Sequence, residues 1–274
     1  MRKPLVSRFL GRCLQVLSAW VLVHAPAWAC GPYALAYYEI GSLYFRDAEG
    51  HEGGIDKDLI DELVRRSGCR IETRIESRVR IWLQLEHGGL DLSVSAIPTP
   101  ERERYGWFLP YYRTRNFALL RHDLADRYPN AASFLADAER RAVVVRGFRH
   151  GASFDTWVDQ LRSQGRVSEV PDFPAALRVL RAAKADLVIS APVVMARAQQ
   201  QEAWLQDFRL VDWAPNDLAV GALIGARARV SETDRQLLQR HLREMYRDGS
   251  LTAILRKHLG SRALEQSQVE PMRP

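Results

Sequence analysis

An arginine three residues after a threonine, where an apolar strand pattern ends, is the point in this chain at which residue type and spacing can do chemistry. Leu90, Leu92, Val94 and Ala96 alternate with polar residues, the period of a half-buried strand. Ile97-Pro98 closes that run, and Thr99-Pro100-Glu101-Arg102 has the make-up of a helix start. Thr99 can cap, Pro100 falls at the first helical position where its missing N–H costs nothing, and Glu101 is an acid in the first turn. Backbone groups near Ala96, Ile97 and Thr99, with the Arg102 guanidinium gripping through two parallel bonds, are expected to cradle a carboxylate. The competing reading is a surface arginine paired with Glu101 or Glu103, an arrangement of small energy.

Other residues extend this candidate site. Tyr37, Tyr38 and Glu39 end a first strand, with Tyr44 and Phe45 in the loop after it. Tyr38 is expected to contribute an aromatic shelf and Glu39 a partner for a ligand cation, whereas Phe45 is expected in the core. Arg78 lies in the charged run Glu76-Ser77-Arg78-Val79-Arg80 and is either a cleft residue or a solvated charge. Further on, Arg146-Gly147-Phe148-Arg149-His150-Gly151 follows a strand and opens a helix. Backbone amides there, with Arg146 or Arg149, suit an anion, while His150 is expected in a solvated loop. The glycine spacing is not a phosphate loop, because no Lys-Ser/Thr follows. Two cysteines and scattered histidines have no metal-ligand spacing, and nothing calls for a cofactor. No Ser-His-Asp or Cys-His arrangement is evident, so no catalytic residue is assigned.

The elements that must position these residues alternate in type. Strands are expected at Tyr33 to Tyr38, Cys69 to Thr73 and Leu90 to Ala96, with helices at Ile55 to Arg66 and Val79 to Glu86 between them. A second cycle places strands at Ala142 to Val145, Val167 to Val170 and Asp186 to Ser190. Its helices are Ala131 to Ala138, Gly151 to Arg162, Ala175 to Ala183 and Val193 to Gln200. Phe208 to Asp212 and Leu218 to Ile224 then lead to terminal helices at Glu232 to Arg247 and Leu251 to His258. Such βαβ order argues for parallel sheets covered by helices.

The first 29 of the 274 residues are a different material. Arg2, Lys3, Arg8 and Arg12 precede an apolar stretch from Leu14 to Val23, and Ala27-Trp28-Ala29 has the small-x-small cleavage pattern of an export signal. The apolar core is shorter than the roughly 20 residues of a membrane span. Removing four bases and no acids takes the formal charge from +6 to +2, and no basic stripe with interleaved aromatics remains to hold nucleic acid. Cys13 leaves with the leader. Cys30 and Cys69 remain, in an oxidising compartment, at the same edge of what should be neighbouring parallel strands. A disulfide, two free thiols and a lipid anchor at Cys30 all stay open. Ser261 to Pro274 is polar and expected to fray.

Asp91-Leu92, Thr99-Pro100-Glu101-Arg102 and Phe108-Leu109-Pro110-Tyr111 resemble, in order, the signature of type II periplasmic solute-binding proteins of the polar amino-acid type (extracellular solute-binding family 3), with Leu109 in place of the family's serine. Gly50-His51-Glu52-Gly53-Gly54-Ile55-Asp56-Lys57-Asp58-Leu59 resembles the family's opening of its first helix. The likeness runs from about Tyr33 to His258. It implies a periplasmic binding protein-like II fold, two doubly wound α/β lobes joined by a two-crossing hinge. Lobe 1 is then 30–120 with 212–260 and lobe 2 is 121–211, the chain leaving near Ala118 to Arg121 and returning near Asp212 to Leu218. The ligand site is the cleft between lobes, and the function is capture of a small carboxylate-bearing solute, by a periplasmic monomer, for an inner-membrane ABC permease. The alternative on the same scaffold is a dehydratase-like enzyme acting on a cyclic dicarboxylate, with Glu39 and His150 as acid–base candidates. In relatives the region of Arg78 offers an aromatic wall, and an aspartate holding the ligand's ammonium stands where this chain has Ser190-Ala191. Either Glu39 or Asp212 supplies that charge here, or the ligand has no ammonium.

Overall fold

The computed structural model describes residues 29–269; the expected leader, with Cys13, lies outside the described residues. Two sheets carry the chain. The first has six strands in the spatial order Gln268–Val269, Gly106–Arg115, Leu218–Ala226, Leu92–Ala96, Cys30–Tyr37 and Cys69–Ile75. The last three are parallel, and Leu218–Ala226 runs antiparallel to both of its neighbours. The second sheet has five, in the order Phe208–Val211, Phe117–Arg121, Leu187–Ser190, Ala142–Val145 and Val167–Val170.

Local chemistry explains the elements. Leu92–Ala96 is buried at every residue, as a central strand covered on both faces must be. Ile55–Ser67 buries Ile55, Leu59, Ile60 and Leu63 on one face and stops at Gly68, which takes φ +66°, the left-handed conformation open to glycine. Ser77 and Asp172 cap Arg78–His87 and Phe173–Arg181 by accepting from main-chain N–H groups. The long strand Gly106–Arg115 was not foreseen, because Pro110 argues against a central strand. The ladder shifts register there, Gly221 facing Tyr112 and Ala222 facing Pro110, so the proline sits beside a bulge where its missing donor is tolerated. The extra residue is Tyr111.

In each sheet the first strand of the parallel set lies between the second and the third. A crevice therefore opens beyond the carboxyl ends of the strands where the winding reverses. In the first sheet that point brings together the residues after Tyr37 and Ala96, in the second those after Val145 and Ser190. The two crevices face one another.

Three expectations change. Phe117–Arg121 pairs with Leu187–Ser190 and Phe208–Val211 in the second sheet, so the outgoing crossing is at Asn116, not at Ala118 to Arg121. The cause is continuity: one extended run leaves the first sheet at Arg115 and joins the second at Phe117. The segment after His258 does not fray from Ser261. Ser261–Glu265 is helical and Gln268–Val269 adds an edge strand to Gly106–Arg115. Cys30 and Cys69 lie opposite each other in the parallel ladder and form a disulfide with their Cα atoms 4.5 Å apart, which engages the sulfur a lipid anchor at Cys30 would need.

An apolar core runs through the first lobe and continues into the second, from Leu35 and Leu59 to Val143, Val188 and Met195. Phe134, Trp157 and Leu161 form a separate cluster in the second lobe. The lobes also touch through the helix Pro192–Gln201. Val194 O accepts from Ser42 N at 3.3 Å, and Arg197 N donates to Ser42 Oγ at 2.8 Å. Gly41 permits this approach: a Cβ there would stand 1.9 Å from Val194 O.

The disulfide closes a segment with a sequence separation of 39 residues. Cys69→Ser is expected to lower the unfolding free energy by about 2–4 kcal/mol, measured by urea denaturation, and reductant should produce a similar loss in the parent protein but none in the variant.

Candidate functional site

Ser95 organises the floor of the crevice. Near the end of its strand it takes φ +48°, a left-handed conformation that costs a non-glycine residue about 1–3 kcal/mol. The turn spends every polar atom of the residue. Ser95 N donates to Tyr111 Oη at 2.9 Å, and its carbonyl accepts from Tyr38 Oη and Arg78 Nη2, each at 3.1 Å. Ser95 Oγ donates to the Asp56 carboxylate at 2.8–2.9 Å. The bulged Tyr111 reaches the same carboxylate at 2.5 Å. Asp56 is fully buried. Burial pushes its carboxyl up to about 7, against the opposing pull of the Tyr111 and Ser95 bonds and the Arg78 charge.

Two guanidiniums stand above this floor. Arg78 begins the helix capped by Ser77 and is 4 % exposed. It donates to Ser95 O and, at 3.4 Å, to Val94 O, and its Cζ lies 4.0 Å from the Tyr38 ring centre and 4.2 Å from that of Trp82. Its Nε is buried without a partner. Arg102 is 6 % exposed and packs 3.6 Å over Trp82. Its Nη1 donates to Ile97 O at 2.8 Å, and its Nη2 crosses to Gly147 O in the second lobe at 3.2 Å. Trp82 Nε1 donates to the same carbonyl, also at 3.2 Å. Burial first, then the positive charges of Arg78 and Arg149, lower Arg102 to about 9. Among the described residues neither Glu101 nor Glu103 pairs with it; Glu101 faces Arg149 at 3.8 Å.

The second lobe supplies the opposite wall. Phe148 meets Tyr38 edge-on, ring centres 5.6 Å apart. His150 is buried, its ring 3.7 Å from Asp155, and its carbonyl accepts from Asn116 Nδ2 at the crossing. Ser190 Oγ is buried with no partner. Most of the remaining lining is apolar, including Ile40, Leu43, Phe173 and Val194, and the acids of the adjoining pocket nearest to it, Glu101 and Asp155, face Arg149 and His150.

Tyr38, Arg78, Ile97, Arg102, Arg149 and Ser190 thus meet around one cleft. Arg78 is not a solvated charge, and His150 is not a solvated loop residue, because aromatic and main-chain partners enclose both. Ala96 is buried in the strand behind Ile97. The expected fan of amides is reduced. Thr99 Oγ1 takes Arg102 N–H, Thr99 O takes Glu103 N–H, and Pro100 has none to offer. Ile97 presents its carbonyl to Arg102.

Three expected participants lie elsewhere. Glu39 pairs with Arg46 at 3.1 Å, Arg146 is exposed and reaches Glu169 at 3.4 Å, and Asp212 pairs with Arg115 at 2.8 Å. Each is engaged by an opposite charge, and Glu39 borders a neighbouring pocket with Tyr38, Arg78 and Phe148. Tyr44 is buried against Tyr37 with ring centres 4.4 Å apart, while Phe45 is only half-buried, beneath Arg197. Asp56, Trp82, Ser95 and Phe148 were not singled out beforehand. Trp82 was findable, since it follows Arg78 by four residues and must share its helix face.

Comparison with known proteins follows the geometry. The profile of bacterial extracellular solute-binding proteins, family 3, matches residues 40–261. Among solved structures, the solute receptor for L-cysteine of Neisseria gonorrhoeae superposes with a TM-score of 0.71 at 15% identity, covering 87% of this chain and 96% of that one. The arginine-, lysine-, histidine-binding protein ArtJ of Geobacillus stearothermophilus gives 0.68 at 16% identity, with 86% and 100% covered. An ancestral amino-acid-binding protein described as a precursor of cyclohexadienyl dehydratase gives 0.69 at 18% identity, with 84% and 96% covered. Identities this low establish the fold. No curated protein sequence matches the chain.

The raised Asp56 carboxyl has a thermodynamic signature. Folding then favours the protonated acid, so its contribution is fully present below the unfolded value near 4 and is lost as the pH rises through about 7. The stability difference between the parent and Asp56→Asn, from denaturant unfolding at pH 4 to 8, is expected to shift against the parent with rising pH and to level off beyond about 7.

Proposed function

We propose that the chain, which belongs to the bacterial extracellular solute-binding proteins, family 3, captures a small carboxylate-bearing solute between its lobes and delivers it to an inner-membrane ABC permease. The reading places the mature chain in the periplasm as a monomer, after loss of residues 1–29. One observation carries it: Arg102 is desolvated in the cleft, packed on Trp82, with only carbonyls as its polar partners. A buried cation without a counter-charge costs several kcal/mol, and an incoming carboxylate supplies that charge through short, charge-assisted bonds.

Arg102 and Trp82 both reach Gly147 of the second lobe, so the binding group also meets the opposing wall. A solute that touches both walls binds the closed arrangement better than the open one, and that difference in affinity drives closure. A permease can then distinguish loaded from empty protein by shape.

The catalytic alternative rests on His150 alone. It lines the cleft with Asp155 behind it, but Glu39, its expected counterpart in acid–base work, is paired with Arg46 and borders a different pocket from His150. A general acid or base must reach the proton it moves.

Thermal-shift measurements on the purified protein with carboxylates, sugars and cationic amines test the reading. A carboxylate at 100 times its Kd should add about 2.7 kcal/mol of stability, and Arg102→Met should lose that gain while keeping a cooperative unfolding transition. Stabilisation by neutral sugars but by no carboxylate would overturn the assignment.

A further inference from the structure

The cleft holds a second guanidinium that capture of a single carboxylate does not use. We propose that the ligand carries two anionic groups on an apolar body, as a short dicarboxylate does, and no free ammonium, with Arg102 holding one group and Arg78 the other. The proposal rests on the capture reading and names its substrate class.

The charges around the cleft support it. Its ionisable lining is basic or phenolic: Arg78, Arg102, Arg149, His150, Tyr38 and Tyr112. Arg149 has Glu101 at 3.8 Å and the His150 ring has Asp155 at 3.7 Å. Asp56 lies behind Ser95, its carboxylate engaged by Ser95 and Tyr111 hydroxyls. Arg102 is left without an acid, and Arg78 has none at ion-pair distance, only the charge of Asp56 acting from behind Ser95. Both are more than nine-tenths buried, and both pack on Trp82. Two like charges on one indole repel each other across a medium of low polarity, and one carboxylate neutralises only half of the pair.

Unused donors point the same way. Arg78 Nε and Ser190 Oγ are buried, border this cleft and have no hydrogen-bond partner. Buried polar groups in folded proteins are nearly always satisfied, and both of these can donate to an anion. An ammonium has the opposite prospects: Glu101 and Asp155, which border the cleft through the adjoining pocket, already face Arg149 and His150, and two guanidiniums line it. The apolar lining by Ile40, Phe173 and Val194 suits a hydrocarbon spacer between the charges.

Isothermal titration at fixed ionic strength, with the straight-chain dicarboxylates malonate to adipate, with butyrate and with L-glutamate, tests the proposal. The best dicarboxylate is expected to bind at least tenfold more tightly than butyrate, and glutarate more tightly than L-glutamate. Arg78→Met should reduce the preference for the best dicarboxylate over butyrate to less than threefold. Arg78→Lys, which keeps the charge, should restore most of the preference. Equal affinity for butyrate and every dicarboxylate, tighter binding of L-glutamate than of glutarate, or an equal loss for both classes in Arg78→Met would overturn it while leaving carboxylate capture intact. If none of these acids binds and Arg102→Met alters nothing, the capture reading itself fails.

Discussion

Two guanidinium groups are held out of water with no carboxylate bonded to either, and the rest of the cleft is arranged around that constraint. Desolvation works against both charges and lowers both arginines. The protein answers with carbonyl oxygens and aromatic faces. Val94, Ser95, Ile97 and Gly147 supply the oxygens, and Tyr38 and Trp82 supply the faces. Such contacts offset part of the cost at roughly 1–2 kcal/mol for a cation over a desolvated ring. They do not neutralise charge, and that leaves the cleft selective for something that does.

Holding carbonyls toward the arginines requires backbone that no regular strand provides. Ser95 supplies it by leaving the strand conformation one residue before the strand ends. Asp56 and Tyr111 pin it from below. Tyr111 can reach that point because the ladder bulges beside Pro110, and Asp56 can because Gly54 starts the first helix directly beneath, with φ +125°. A glycine, a proline and a strained serine far apart in the chain thus converge on the orientation of one side chain, Arg78. Opposite them, the Gly147 carbonyl receives both Arg102 and Trp82, so the groups that suit a ligand also tie the lobes together.

The architecture was legible in the chain because it depends on short-range signals. Alternating apolar residues and the cap at Thr99 mark real boundaries, and strand order follows from βαβ winding. Arg102 was legible from its spacing to Thr99 only together with the family resemblance, since spacing alone left a surface ion pair open. What could not be read were the destinations of side chains whose partners lie far away in sequence. Glu39 and Arg146 were assigned to the cleft by their place at strand ends, yet each turns to a charge that only the fold brings near. Asp56 looked like part of a helix opening, and its role exists only because Tyr111, 55 residues later, meets it. The crossing at Asn116 was missed because one continuous extended run serves two sheets.

A crystal structure of the protein with its tightest-binding carboxylate bears most directly on the central claim, that an anion completes the charge the cleft lacks. The account predicts carboxylate oxygens within hydrogen-bond distance of the Arg102 guanidinium, with the ligand seated between Tyr38 and Ser190. A ligand held elsewhere on the molecule, with Arg102 still bonded only to the Ile97 and Gly147 carbonyls, would contradict it.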